Sequence, residues 1–73
     1  MKCVVRIRNN EEVNVFLPQK FKAAELMKDL YEEECVRIDY DALNSYIEDN
    51  FAKVVAHGKV TEFYVRELVE VER

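Results

Sequence analysis

Gly58 is the only glycine among the 73 residues of the chain, and it stands where one hydrophobic rhythm stops and another begins. Before it, apolar residues recur at helical spacing; after it, they alternate as in a strand. Glycine is favoured just past a helix end because it enters the left-handed region without a Cβ penalty. Its solitude also excludes chemistry. A phosphate-cradling loop or a dinucleotide fingerprint needs several glycines at fixed spacing.

The chain length fits a single domain, 1–73, close to the size at which one core is only just sufficient. Hydrophobic residues make up 49% of it, with four Phe and four Tyr, which favours a folded chain over a disordered one. No apolar run approaches the roughly 18–20 residues of a membrane helix, and the opening MKCVVRIRNN has charge inside its apolar stretch and no cleavage signature. A cytoplasmic protein that does not enter the membrane is the expectation. Cys3 and Cys35 are too few for a disulfide framework and are expected reduced. The net charge of −4 disfavours wholesale phosphate neutralisation but leaves room for a local basic patch.

The chain opens with two strand-like runs, 2–8 and 12–17, around Asn9-Asn10. Cys3, Val5 and Ile7 share one side of the first; Val13, Val15 and Leu17 share one side of the second. A two-residue loop would set Ile7 against Glu12. A loop of Asn9-Asn10-Glu11 pairs Ile7 with Val13, Val5 with Val15 and Cys3 with Leu17, and Asn tolerates the positive φ it requires. Pro18 ends the second strand and suits a first helical turn. From there Ala23, Leu26, Met27, Leu30 and Tyr31 fall on one side of a helix over about 19–33. Glu34 would point into the apolar side, so the helix is expected to stop before it.

Asp39 or Asp41 can cap a second helix. Leu43, Tyr46, Ile47, Phe51, Val54 and Val55 keep the i, i+3, i+4 rhythm to His57, which favours a helix over about 41–57. The competing pattern ends the helix near Phe51 and makes 53–56 a strand hairpinned at His57-Gly58. The last segment, 60–71, alternates as a long strand with Phe63, Val65, Val69 and Val71 on one face. The predicted class is α+β: a small antiparallel sheet with both helices on one face, in the order ββααβ.

If Cys3, Val5, Ile7, Val13, Val15 and Leu17 face the helices, the outer pleat presents Lys2, Val4, Arg6, Arg8, Asn14 and Phe16, joined from the last strand by Tyr64, Arg66 and Leu68. Arginine mixed with aromatic residues is enriched at protein interfaces, and the same mixture stacks unpaired bases. An ordinary solvated face, with Glu12, Glu62 and Glu70 pairing across strands, competes with both.

The other polar clusters have plainer readings. The acidic helix residues fit a solvated face. His57 is the sole histidine and fits a helix end, and no local C-x-x-C spacing supports a zinc site with Cys3 and Cys35. No nucleophile–base set is assembled by the sequence, and no metal or cofactor is implied.

The functional expectation is a small non-catalytic protein-binding module, regulatory or inhibitory. It would dock through Arg6, Arg8, Phe16, Tyr64, Arg66 and Leu68 or through the free edge of the last strand, which could also support a homodimer. The alternative is a single-stranded nucleic-acid binder using Arg6, Arg8, Phe16, Tyr64 and Arg66. An enzyme ranks third.

Overall fold

The computed structural model describes residues 2–18 and 22–67. Its elements run β1 (Lys2–Arg8), β2 (Glu12–Phe16), α1 (Ala23–Arg37), β3 (Tyr46–Ile47), β4 (Phe51–Ala56) and β5 (Lys59–Glu67). The strands form one antiparallel sheet in the order β2-β1-β5-β4-β3. Among the described residues the protein is therefore mostly β, with one helix, and the expected ββααβ order with helices at 19–33 and 41–57 is overturned.

The β1–β2 hairpin has the expected register, with Val5 opposite Val15 and Ile7 opposite Val13, but the ladder ends at Val4–Phe16, short of the expected Cys3–Leu17 pair. Asn9 and Asn10 take positive φ values of 52° and 57°. The Glu11 amide donates to the Arg8 carbonyl at 3.0 Å, yet Arg8 lies opposite Glu12. Glu11 is thus one residue too many for a two-residue turn, and it sets the register.

The helix covers β1, β5 and β4, but on the pleat opposite to the expected one. Val4, not Val5, is fully buried. Val4 stands opposite Val65 and Arg6 opposite Phe63, and Phe63 stands opposite Ala52. These form the floor on which Ala23, Met27 and Cys35 of α1 pack. Alanines at 52 and 56 leave room for α1 to lie close over β4.

The helix also runs past Glu33 to Arg37. Glu34 does point inward, 2% exposed, but it arrives with its charge compensated. Its carboxylate accepts hydrogen bonds from Arg8 Nε and Nη2 at 3.0 Å each, from Arg37 Nε at 2.7 Å and from Thr61 Oγ1 at 2.8 Å. Buried charge is tolerated when it is paired and its lone pairs are filled. The helix ends where Asp39 enters the left-handed region at φ 52° and the Tyr40 amide reaches back to the Cys35 carbonyl at 3.3 Å, a Schellman closure with aspartate in the usual glycine position.

The segment expected as a second helix is a turn and a hairpin. Asp41 accepts from the Leu43 amide and from Asn44 Nδ2, and β3 and β4 follow. His57 and Gly58 both have positive φ, 49° and 79°, and Ala56 lies opposite Lys59. That is a two-residue hairpin turn of the mirror-image type, whose twist suits adjoining strands. Gly58 closes a hairpin, not a helix, and His57 sits in the turn beside it.

Candidate functional site

With α1 on one face, the other face of the sheet is uncovered by any described element. The strand registers define its occupants. One row runs Val15, Val5, Tyr64, Phe51 across four strands; the next runs Val13, Ile7, Glu62, Lys53, Tyr46 across all five. Val55 and Val60 form a further pair. Val13, Val15 and Leu17 are 58%, 57% and 52% exposed and Tyr46 is 45% exposed. Of the residues expected to be core on the hairpin, Cys3 is buried, Val5 and Ile7 are half-buried, and Val13, Val15 and Leu17 form the apolar half of an open surface.

The other half is aromatic. The rings of Tyr46 and Phe51 lie 5.7 Å apart and those of Phe51 and Tyr64 5.0 Å, both tilted, a favourable arrangement for ring quadrupoles. The Arg66 guanidinium sits 4.7 Å above the Tyr64 ring. Tyr64 Oη donates to Glu62 Oε2 at 2.5 Å; that bond, with burial adding to it, raises the Tyr64 pKa.

The expected arginine–aromatic patch is divided by the pleat. Tyr64 and Arg66 lie on the open face, because Tyr64 is opposite Val5 and Arg66 opposite Cys3. Arg6, Arg8 and Phe16 lie on the helix side. Arg8 is committed to Glu34, and the Arg6 guanidinium covers the Phe16 ring at 4.9 Å while donating to Asn14 Oδ1. Burial, and then the charge of Arg8, lowers the Arg6 pKa. Leu68 lies outside the described residues.

The sequence carried only half the signal for this division: Phe63 and Val65 mark the inward face of β5, but it takes the Val4–Val65 register of the fold to turn Arg6 and Arg8 inward with them. The expected free edge is also absent where it can be assessed. β1 pairs with β5 over Thr61–Glu67 and β4 pairs with it over Lys59–Tyr64, so β5 is central and the free edges belong to β2 and β3. Residues 68–71 lie outside the described residues.

Among the described residues, no group of three His, Cys, Asp or Glu side chains is arranged to hold a metal. Burial pushes the Cys35 thiol up, and the charges of Glu34 and Glu32 add to the shift, so the thiol form is favoured over the nucleophilic thiolate. A cleft of about 420 Å³ beside the start of α1 is lined by Lys2, Lys22, Ala23, Asn50 and Val65 among others; its described lining contains no carboxylate, thiol, hydroxyl or imidazole. No helix among the described residues is long and apolar enough to cross a membrane. Compared with known proteins, the chain matches no family model, no curated protein and no solved structure.

Proposed function

We propose that this chain is a non-catalytic protein-binding module, regulatory or inhibitory in role, that docks through the open face of its sheet. One observation carries the reading: Val13, Val15 and Leu17, each more than half exposed, adjoin the Tyr46–Phe51–Tyr64 ring series on the face away from α1. A continuous apolar and aromatic surface of this kind suits an interface better than it suits water. A cytoplasmic location fits two cysteines that are both free.

The test is a stoichiometric capture experiment with the immobilised chain. Val15→Glu, which places charge in the apolar half, should abolish capture. Glu32→Ala with Glu33→Ala, on the exposed side of α1, should leave it intact. The opposite pattern would move the site to the acidic helix and refute the reading.

The Arg66–Tyr64 stack favours one second reading, a platform for unpaired bases. It is the weaker of the two, because Arg6, Arg8 and Phe16 are turned to the helix side. Oligonucleotide binding that weakens steeply with salt and disappears in Tyr64→Ala would support it; no binding to any single strand at low salt would remove it.

A further inference from the structure

We infer that the open sheet face is occupied by a second copy of this chain, packed face to face about a two-fold axis. The inference rests on the docking reading above and names its partner. The outward side chains of β5 run Glu62, Tyr64, Arg66, an acid and a base spaced equally either side of an aromatic ring. A two-fold axis through the Tyr64 row, perpendicular to the strands and in the plane of contact, reverses that order on the facing copy. Glu62 of each chain then meets Arg66 of the other, and the Val15–Val5–Tyr64–Phe51 row meets itself. The pattern is self-complementary, which an interface between identical surfaces requires. Within one chain Glu62 and Arg66 both lean on Tyr64, the first through its hydroxyl and the second over its ring, and no direct ion pair joins them, so each keeps charge to offer the facing copy.

Charge over the rest of the molecule points the same way. The chain carries a net −4, yet the strand residues of this face include two cations, Lys53 and Arg66, against one carboxylate, Glu62. The exposed acids of α1, Glu25, Asp29, Glu32 and Glu33, lie on the far side of the sheet. With layers about 10 Å apart, the helices of two facing copies would be separated by roughly 30 Å, several Debye lengths at physiological salt. Contact through this face is thus the approach that least opposes the like charges of two copies.

The area suits a weak contact. The outward strand positions, each about 4.8 by 6.8 Å, give a platform of roughly 420 Å² per copy, or roughly 850 Å² in total, the size of a weak, transient interface. Such an area predicts a reversible, concentration-dependent dimer. The core supplies the motive: Phe63, Met27, Val4 and Val54 are its largest fully buried side chains, and small folds gain burial by associating.

Sedimentation equilibrium over a wide concentration range tests the inference. The wild type should rise from the 8.7 kDa of one chain to twice that mass. Val15→Glu should remain at the mass of one chain, and Val36→Glu, an equally apolar exposed site on α1, should dimerise as the wild type does. Glu62→Arg and Arg66→Glu should each weaken association at least ~10-fold, and the double variant should recover to within ~3-fold of wild type, because reversing both charges restores the pair across the two-fold axis.

A wild type that keeps the mass of one chain at every concentration overturns the inference, as does a double variant no better than the singles. If that monomer still captures a different protein in a Val15-dependent way, the docking reading stands and self-association alone falls. If Val15-dependent capture is missing too, both fall.

Discussion

Replacing Glu34 with glutamine preserves the side chain's shape but removes its charge at the junction of α1, β1 and β5. Burial alone would raise the pKa of this carboxyl. Hydrogen bonds from Arg37, Arg8 and Thr61, with the charge of Arg8, outweigh burial and hold it at about 2. Because the folded value lies below the ordinary 4.5, the ionised form stabilises the fold. That contribution is complete above the unfolded pKa and is lost as pH falls from there through about 2.

At about 1.4 kcal/mol per pKa unit, the depression corresponds to about 3 kcal/mol at pH 7, of which about 2 kcal/mol is gone by pH 3. Breaking a buried pair by removing one partner costs about 3–5 kcal/mol. The low end fits here because the Arg8 side chain keeps 22% exposure and regains water when its partner is neutral. Urea unfolding of wild type and Glu34→Gln at pH 7 and pH 3 reads the difference directly, and taking the difference cancels the other carboxylates. The stability gap should be about 3 kcal/mol at neutral pH and shrink to about 1 kcal/mol at pH 3. A gap below ~1 kcal/mol at pH 7, or one that does not change with pH, would refute the assignment of Glu34 as a charged structural hub.

Gly58→Ala meets open space, with no atom within 4 Å of the added methyl, so its cost is purely conformational, about 1 kcal/mol, seen as a lower melting temperature. Two of the four left-handed non-glycine positions, Asp39 and His57, should respond in the opposite sense. Asp39→Gly at the helix end and His57→Asn in the hairpin turn should each stabilise by about 0.5–1 kcal/mol in thermal melts. Phe63→Ala, at the centre of the core, should cost about 3–5 kcal/mol, whereas Leu43→Ala, at 95% exposure, should change stability by no more than ~0.5 kcal/mol.

The first hairpin was legible in the sequence because its information is local. Two asparagines able to take positive φ and one extra residue at Glu11 fix the pairing of Val5 with Val15 without reference to the rest of the chain. Which pleat of that hairpin is buried is decided elsewhere, by the register of β1 on β5 and by Glu34 reaching Arg8 from 26 positions away. An apolar stripe at Val13, Val15 and Leu17 reads as core by composition, yet the ion pair draws the arginine-bearing side inward and leaves the valines out.

The segment from Tyr46 to Ala56 shows the complementary difficulty. Its apolar residues satisfy helical spacing, and from Phe51 onward they form a nearly unbroken run that a strand accepts as well; the burial along β4 alternates residue by residue. Local periodicity cannot separate the two, and pairing with β5 through the His57-Gly58 turn selects the strand. The candidate surface was correspondingly half legible: Tyr64 and Arg66 were recognisable, while the valines and the Tyr46–Phe51 rings beside them depend on long-range pairing.

A dilution series followed by methyl and aromatic NMR tests the central claim, that two copies meet through the open sheet face, most directly. The account predicts concentration-dependent shifts for the methyls of Ile7, Val13, Val15 and Leu17 and for the ring of Tyr64. The methyls of Leu26, Leu30 and Val36 on α1 should stay fixed. Shifts concentrated on Val36 or Leu43 with the sheet valines unmoved, or no shifts at any concentration, would contradict it.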